Sequence, residues 1–202
     1  MKIICIGRNY SDHAKEMNSP IPEEPMFFMK PDTALLRGMN FYYPDFTTDL
    51  HHEVELVVKI CKVGKHIDLK NAPNYYNEIG VGIDFTARDL QRKCKEKGHP
   101  WEKAKAFDNS AVLSTQFIQK EKLDLNDINF SLIKNNDIVQ AGNSKDMLFS
   151  IDQLISYVSK FLTLKTGDLL YTGTPHGVGS VKIGDKLTGF IGENQLFSIR
   201  IK

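Results

Sequence analysis

The sequence predicts a mixed α/β fold that is mostly β. Segments with strand-type apolar patterns outnumber those with helical spacing. The two types do not alternate strictly, which argues against a doubly wound parallel sheet. The 202 residues, 41% of them apolar and 25% charged, contain no repeat, low-complexity tract or linker. We therefore expect a single domain over residues 1–202.

The N-terminal segments alternate between short elements and a loop. Residues 1–7 form an apolar run that predicts the first strand. Ser11 is a capping residue followed by helix formers up to Met17, which predicts a short helix. Residues 18–25 hold three prolines and predict a mobile loop, while residues 26–29 predict a short strand that stops at Lys30-Pro31.

Two strand-like segments in the middle of the chain carry acidic residues. Residues 53–61 first alternate and then become mostly apolar, which predicts a strand. Residues 79–85 predict a second strand, with Asp84 near its end. The segment that follows, Thr86 to Arg92, predicts a capped helix turn.

The C-terminal part of the chain predicts a hairpin, a helix and further strands. The hairpin spans residues 130–140 with a turn at Asn135-Asn136-Asp137. Residues 151–162 have apolar side chains at helical spacing. The remaining strands are predicted around residues 169–171, 186–188 and 197–199.

Composition excludes several classes of protein. A formal net charge of +1 gives no field for nucleic acid, and the basic residues of 92–97 have acidic neighbours, as on a solvated helix face. Three widely spaced cysteines, Cys5, Cys61 and Cys94, indicate neither a disulfide framework nor a thiolate zinc site. No apolar run approaches bilayer length, and the short apolar N-terminus is atypical of a signal peptide, so we expect a cytoplasmic protein without membrane contacts.

Glu53 and Glu55 are the strongest candidates for chemistry. Residues two apart on a strand face the same side, so their carboxylates would lie together. Like charges repel when buried, and a divalent cation relieves the repulsion. Oxygen ligands favour Mg²⁺, Mn²⁺ or Ca²⁺. The alternative is that both glutamates face solvent from an edge strand.

Asp84 could complete this set. It ends an apolar run, where a carboxylate needs a partner, and a third acid would leave coordination positions open for water and substrate. The alternative is that Asp84 caps the helix beginning near Thr86. Spacing alone does not separate the two.

Other candidates have equally open alternatives. His13 and Glu16 share one face of the predicted helix and could act as a general base and its orienting carboxylate, or form an exposed surface pair. The glycine- and hydroxyl-rich segment 172–179 could bind an anion or be an ordinary connection. Lys105 could be solvated or could face the acidic cluster.

Together these segments resemble the fumarylacetoacetate hydrolase family over nearly the whole chain. The closest likeness is to its short acylpyruvate hydrolase and oxaloacetate decarboxylase branch. One departure is Lys105-Ala106-Phe107-Asp108, where many members have Lys-Gly-Phe-Asp. The matching segments, in chain order, are Gly7-Arg8-Asn9-Tyr10 with His13 and Glu16, Lys30-Pro31, residues 52–56, residues 84–89, Lys97-Gly98 with Pro100-Trp101, residues 105–108, and residues 172–175 with 177–179.

The resemblance implies a β-roll fold with a few short helices, a homodimer and a set of site residues. The implied metal ligands, usually for Mg²⁺ or Mn²⁺, are Glu53, Glu55 and Asp84. His13 and Glu16 would activate water from a lid. Lys105 would support developing charge, and the implied substrate contacts are Arg88, Gln91 and Thr174.

The implied substrate is a small 2-oxo acid. The working expectation is hydrolysis of the C–C bond of 3-acylpyruvates, with oxaloacetate decarboxylation through the same enolising site. The first alternative is an isomerase or decarboxylase acting on 2-hydroxyhepta-2,4-diene-1,7-dioate. The second is a β-rich binding module that is not an enzyme.

Overall fold

The computed structural model describes residues 1–16 and 21–202, without the side chains of residues 13–15. The predicted proline-rich loop therefore lies partly outside the described residues.

The strands are β1 Ile3–Gly7, β2 Met26–Lys30, β3 Asn40–Phe41, β4 Leu50–His52, β5 Val54–Ile60, β6 Tyr76–Asp84, β7 Thr86–Ala87, β8 Ala111–Leu113, β9 Ile118–Gln119, β10 Asn129–Lys134, β11 Asp137–Asn143, β12 Leu169–Tyr171, β13 Gly179–Ser180, β14 Lys186–Ile191 and β15 Asn194–Ile201. The α-helices are α1 Ser11–Glu16, α2 Arg88–Lys97, α3 Glu102–Lys105 and α4 Ile151–Phe161, and short 3₁₀ helices span Asp32–Ala34, Leu69–Tyr75, Lys120–Lys122 and Ser144–Asp146.

Within the described chain the strands form three sheets. The first has the order β2-β1-β12-β5-β6-β8, with β9 also paired to β6. The second has the order β11-β10-β14-β15-β3, and a small third sheet has the order β13-β4-β7. The predicted mostly β fold class is thereby confirmed, because a few short helices accompany a predominance of strands.

The strands that position the acidic residues are central and almost fully buried. In β5 six of the seven residues are buried, and the strand lies between β12 and β6. Its antiparallel pairing with β6 sets Val54 opposite Ile83 and Glu55 opposite Gly82. A strand buried on both faces reads as an apolar run, as the sequence does here.

Two local predictions need correction. Glu53 was predicted to start a continuous strand, but it lies between β4 and β5, at the point where the chain passes from the small sheet to the large one. A helix was predicted from Thr86, but Thr86 and Ala87 pair with β4 and helix α2 begins at Arg88 without a side-chain cap. Sheet pairing outcompetes the helix at these two residues because Thr86 and Ala87 are fully buried against β4.

Most other elements match their predictions. The hairpin of β10 and β11 turns at Asn135 and Asn136, where Asn135 adopts a left-handed backbone (φ 60°) that asparagine tolerates. Helix α4 begins after Ser150, whose side chain forms a capping box with Gln153. Among the described residues no helix is long and apolar enough to span a bilayer.

Candidate metal centre and substrate cavity

Glu53, Glu55 and Asp84 converge in the interior of the protein, and we call them the acidic triad. Each offers a carboxylate oxygen, and these oxygens lie within 4.8 Å of one another. Their relative exposures are only 5%, 1% and 1%, so neither glutamate faces solvent. Asp84 does not cap helix α2, whose N-cap residue Ala87 makes no side-chain cap bond. The alternatives, in which the glutamates face solvent from an edge strand and Asp84 caps a helix, are therefore wrong.

Three basic side chains pair with two members of the triad, Glu53 and Asp84. Lys105 Nζ donates to Glu53 Oε2 and to Asp84 Oδ2, both at 2.7 Å. Arg88 Nη2 donates to Glu53 Oε1 at 2.5 Å. Lys30 Nζ lies 2.7 Å from Asp84 Oδ1 and also donates to Ser110. Lys105 therefore points into the site, which the sequence left open. We call the triad together with Lys30, Arg88 and Lys105 the floor of the site.

Glu55 is the member of the triad that fits a cation best. Its Oε2 accepts a hydrogen bond from the Gly173 backbone N–H at 2.7 Å, but among the described residues no lysine or arginine pairs with it. Burial raises the pKa of Glu55 well above its usual range, and Asp84 and Glu53 raise it further. Three buried carboxylates within coordination reach, one of them lacking a cation, can hold a divalent metal ion.

Lys105 stays protonated in these surroundings. Burial lowers its pKa, but the carboxylates of Asp84 and Glu53 outweigh that effect, so the pKa of Lys105 is raised. A lysine that is charged at neutral pH can donate hydrogen bonds and balance negative charge, but it cannot accept a proton. Lys105 is thus suited to charge stabilisation.

A cavity of about 40 Å³ opens beside the triad. That space holds a few waters or a very small ligand. The predicted substrate contacts Arg88, Gln91 and Thr174 all line it. The full lining is Ile6, Gly7, Arg8, Met26, Phe28, Glu53, Glu55, Asp84, Arg88, Gln91, Lys95, Trp101, Lys105 and Thr174.

Arg8 and Lys95 are the basic residues of this lining that pair with no acid within the described chain, and we call them the mouth of the cavity. Lys95 is exposed and its Nζ lies 5.6 Å from the centre of the Trp101 ring, while Arg8 is half-buried with a left-handed backbone (φ 58°). Partial burial, Arg8 and Arg88 together lower the pKa of Lys95. Within the described residues neither Arg8 nor Lys95 forms an ion pair, so the mouth is a cationic entrance.

Sequence reasoning missed the mouth residues. The sequence predicted that the basic residues of 92–97 form a solvated helix face. Arg92, Lys93 and Lys97 are indeed exposed, but Lys95 also lines the cavity. The signal was available in the spacing of residues 88, 91 and 95, because positions three and four apart share one face of a helix. Arg8 and Lys30 were quoted within motifs but received no role.

The proposed catalytic pair is described only in part. The side chain of His13 lies outside the described residues. Glu16 is exposed on α1 and does not line the cavity, but its Oε1 accepts a hydrogen bond from the Gly177 N–H at 3.1 Å. Helix α1 is thereby joined to segment 172–179, the same segment that contributes Gly173 to Glu55 and Thr174 to the cavity.

Fold and site together define a mostly β protein with a buried carboxylate cluster that can hold a divalent cation next to a small cavity. The model of the fumarylacetoacetate (FAA) hydrolase C-terminal family matches residues 2–201. The chain belongs to this family, which confirms the resemblance seen in the sequence and places the protein among enzymes.

Relatives and solved structures extend the comparison. The mitochondrial oxaloacetate tautomerase FAHD1 of Mus musculus is 44% identical over 202 residues, covering 99% of this chain and 90% of the mouse protein. The crystal structure of fumarylpyruvate hydrolase from Pseudomonas aeruginosa in complex with Mn²⁺ and pyruvate has a TM-score of 0.93 and 36% identity, covering 100% of this chain and 89% of that chain. The crystal structure of 2-hydroxyhepta-2,4-diene-1,7-dioate isomerase from Mycobacterium marinum has a TM-score of 0.86 and 26% identity, covering 99% of this chain and 73% of that one.

Proposed function

We propose that this chain is a divalent-metal-dependent enzyme that interconverts the keto and enol forms of oxaloacetate. The supporting observation is the charge distribution along the small cavity. A carboxylate cluster fit for a metal ion lines this cavity, and so do Arg8 and Lys95, two cations that form no ion pair within the described residues. A 2-oxo acid with a second carboxylate matches both the proposed metal site and these cations, and the name of the mouse relative agrees with this substrate.

The metal that we propose for Glu53, Glu55 and Asp84 is Mg²⁺ or Mn²⁺, with Ca²⁺ as a further option. A bound divalent cation would polarise the 2-oxo group and stabilise negative charge on its oxygen. Lys105 holds Glu53 and Asp84 in place and adds positive charge, while Arg88 fixes the second oxygen of Glu53. Gln91 and Thr174 offer polar groups for orienting the substrate.

Keto–enol interconversion moves one proton between C3 and the oxygen on C2. We assign proton transfer to His13 on α1, oriented by Glu16, the pair for which the resemblance implies activation of water. The hydrogen bond from Gly177 to Glu16 supports this assignment, because it holds α1 against the segment that carries Thr174.

The test follows the loss of the enol absorbance of oxaloacetate in the presence of metal-stripped protein, with and without Mg²⁺ or Mn²⁺. Acceleration is expected only with metal and should be lost in Glu55→Gln. Glu193→Gln, an exposed glutamate in a turn, is the matched control and should behave as wild type. Metal binding without acceleration would overturn the oxaloacetate assignment while leaving the metal site in place.

The second candidate function is hydrolysis of 3-acylpyruvates, favoured by the likeness to fumarylpyruvate hydrolase. His13 would take a proton from a water molecule that attacks the distal carbonyl. The bond between C3 and C4 then breaks, giving the enolate of pyruvate and a carboxylic acid. Pyruvate release from acetylpyruvate, compared between wild type and a Glu53→Ala, Glu55→Ala variant, measures this activity.

A three-substrate comparison separates the remaining alternatives. His13→Ala should suppress acylpyruvate hydrolysis more than oxaloacetate decarboxylation, because decarboxylation needs no attacking water. Equal loss of both would contradict this division of roles. Faster turnover of 2-hydroxyhepta-2,4-diene-1,7-dioate than of either substrate would favour the isomerase alternative.

The homodimer and the cytoplasmic location stay predictions, to be checked by light scattering and cell fractionation.

A further inference from the structure

Gln140 is a buried side chain outside the cavity lining that connects three parts of the site. It lies on β11 in the second sheet and is 2% exposed. Its Oε1 accepts from the Val54 N–H at 2.9 Å and lies 2.9 Å from His52 Nδ1. Its Nε2 donates to Thr174 Oγ1 at 2.9 Å and to the Pro175 carbonyl at 3.1 Å.

The orientation of this amide is determined by its partners. The Val54 N–H can only donate, and the Pro175 carbonyl can only accept, so the oxygen and nitrogen of Gln140 cannot be exchanged. Thr174 Oγ1 must therefore accept a hydrogen bond from the Gln140 NH₂ group. A threonine hydroxyl has one proton of its own, and that proton is left for a different acceptor. Thr174 lines the cavity, so a ligand there can supply the acceptor.

We propose that Gln140 is a positioning residue that fixes the Thr174 hydroxyl as a hydrogen-bond donor toward the cavity. This inference deepens the proposed function and rests on it, because it specifies the group that Thr174 recognises. An ionised carboxylate accepts hydrogen bonds at both oxygens, whereas an amide accepts only at its carbonyl oxygen and its NH₂ group is itself a donor. Where donors face both terminal atoms of the ligand, a fixed Thr174 donor therefore favours the carboxylate over the amide.

The side-chain amide of Gln91 is also held with its oxygen bonded and its NH₂ group available to the cavity. Arg88 Nη1 donates to Gln91 Oε1 at 2.7 Å, and because a guanidinium has no acceptor the orientation of this amide is also fixed. The NH₂ group of Gln91 is then left for other acceptors, and Gln91 lines the cavity next to Arg88. The wall made by Arg88, Gln91 and Thr174 presents donors, which is the complement of a carboxylate.

The test is Gln140→Glu. Because burial raises the pKa of a carboxyl group, the comparison is made at a pH at which the new carboxylate is ionised. One of its oxygens then still accepts from Val54, and the other accepts a hydrogen bond from the Thr174 hydroxyl, which turns that hydroxyl away from the cavity. We expect the affinity of the Mn²⁺-loaded protein for pyruvate to fall about tenfold or more, as for a lost bond to a charged group. The affinity for pyruvamide should change far less, so the preference for carboxylate over amide should collapse. Titration calorimetry measures both, with Mn²⁺ affinity determined alongside.

Controls separate positioning from a merely structural effect. Gln195→Glu makes the same change at an exposed position of the same sheet and should leave the preference intact. In a Thr174→Val background, Gln140→Glu should have no further effect on the preference, whereas additive effects would overturn the inference. If Gln140→Glu does not fold, Thr174→Val should lose the preference and Thr174→Ser should keep it, and an unchanged Thr174→Val would overturn the inference.

Failure of the inference and of the proposed function give different results. A wild-type protein that binds pyruvate, with a preference that survives Gln140→Glu, overturns the role of Gln140 alone. A metal-loaded wild-type protein that does not bind pyruvate overturns the proposed function and the inference together.

Discussion

The floor and the mouth of the cavity are both charged, but their charges are satisfied in different ways. On the floor, Lys105, Arg88 and Lys30 are held within ion-pair distance of buried carboxylates. At the mouth, Arg8 and Lys95 form no ion pair within the described chain. The floor therefore couples folding to the proposed metal site, whereas the mouth contributes no ion pair to either. The floor should determine stability and metal binding, and the mouth should determine which substrate enters.

The largest effect is expected from Lys105→Met. Removing one partner of a buried ion pair leaves its carboxylates uncompensated, which costs about 3–5 kcal/mol. Urea unfolding of the metal-free protein should show this loss in the free energy of unfolding. Lys103→Met, an exposed lysine on the same helix, is the control and should stay within about 0.5 kcal/mol of wild type. A small loss for Lys105→Met would contradict the structural role of the floor.

Glu55→Gln should separate the metal site from folding. The change removes the triad carboxylate that pairs with no lysine or arginine in the described part of the chain, so the metal-free protein should be at least as stable as wild type. Affinity for Mn²⁺ should fall at least about 100-fold, since even the loss of an outer-shell partner costs 10–100-fold. The rise in Tm on adding Mn²⁺ should therefore vanish. A retained rise in Tm would exclude Glu55 as a metal ligand.

Lys95→Met tests the mouth. The KM for oxaloacetate should rise about tenfold, as expected for a lost charged hydrogen bond, while unfolding and Mn²⁺ affinity stay unchanged. Pyruvate has one carboxylate, so its affinity should change little. Lys97→Met on the same helix, an exposed lysine that does not line the cavity, is the matched control. Equal effects on oxaloacetate and pyruvate would argue that Lys95 acts on the site as a whole.

The smallest effect should come from salt. Two cations at the entrance attract a dianionic substrate, and raising ionic strength to a physiological value should lower kcat/KM for oxaloacetate about threefold. Lys95→Met should flatten this dependence. An identical dependence of kcat/KM on salt in the variant would show that Lys95 does not attract the substrate.

Glu53 and Glu55 could be selected because their pattern is local, whereas Asp84 was joined to them only by the family resemblance. Carboxylates next to buried strands stand out against apolar neighbours, and the order of the motifs along the chain indicated the family. The direction of Lys105 could not be predicted, since it depends on how α3 packs against α2, β7 and β2. The spacing of residues 88, 91 and 95 indicated that Lys95 shares a helix face with Arg88 and Gln91, but not that this face lines a cavity. Gln140 was missed because its partners are 86 and 34 residues away along the chain. The break at Glu53 was missed because sheet pairing, rather than apolar spacing, determines it.

The backbone of Arg8 links the cavity to the evolution of stability. A non-glycine residue in the left-handed region carries a steric cost of about 1 kcal/mol, and glycine would remove it, although its freedom in the unfolded chain takes part of that gain back. Selection for thermal tolerance alone would thus favour glycine at this position. If Arg8 attracts the substrate as proposed, only selection for activity retains arginine, so a directed-evolution experiment without substrate should replace Arg8 by glycine and give a more stable, less active protein.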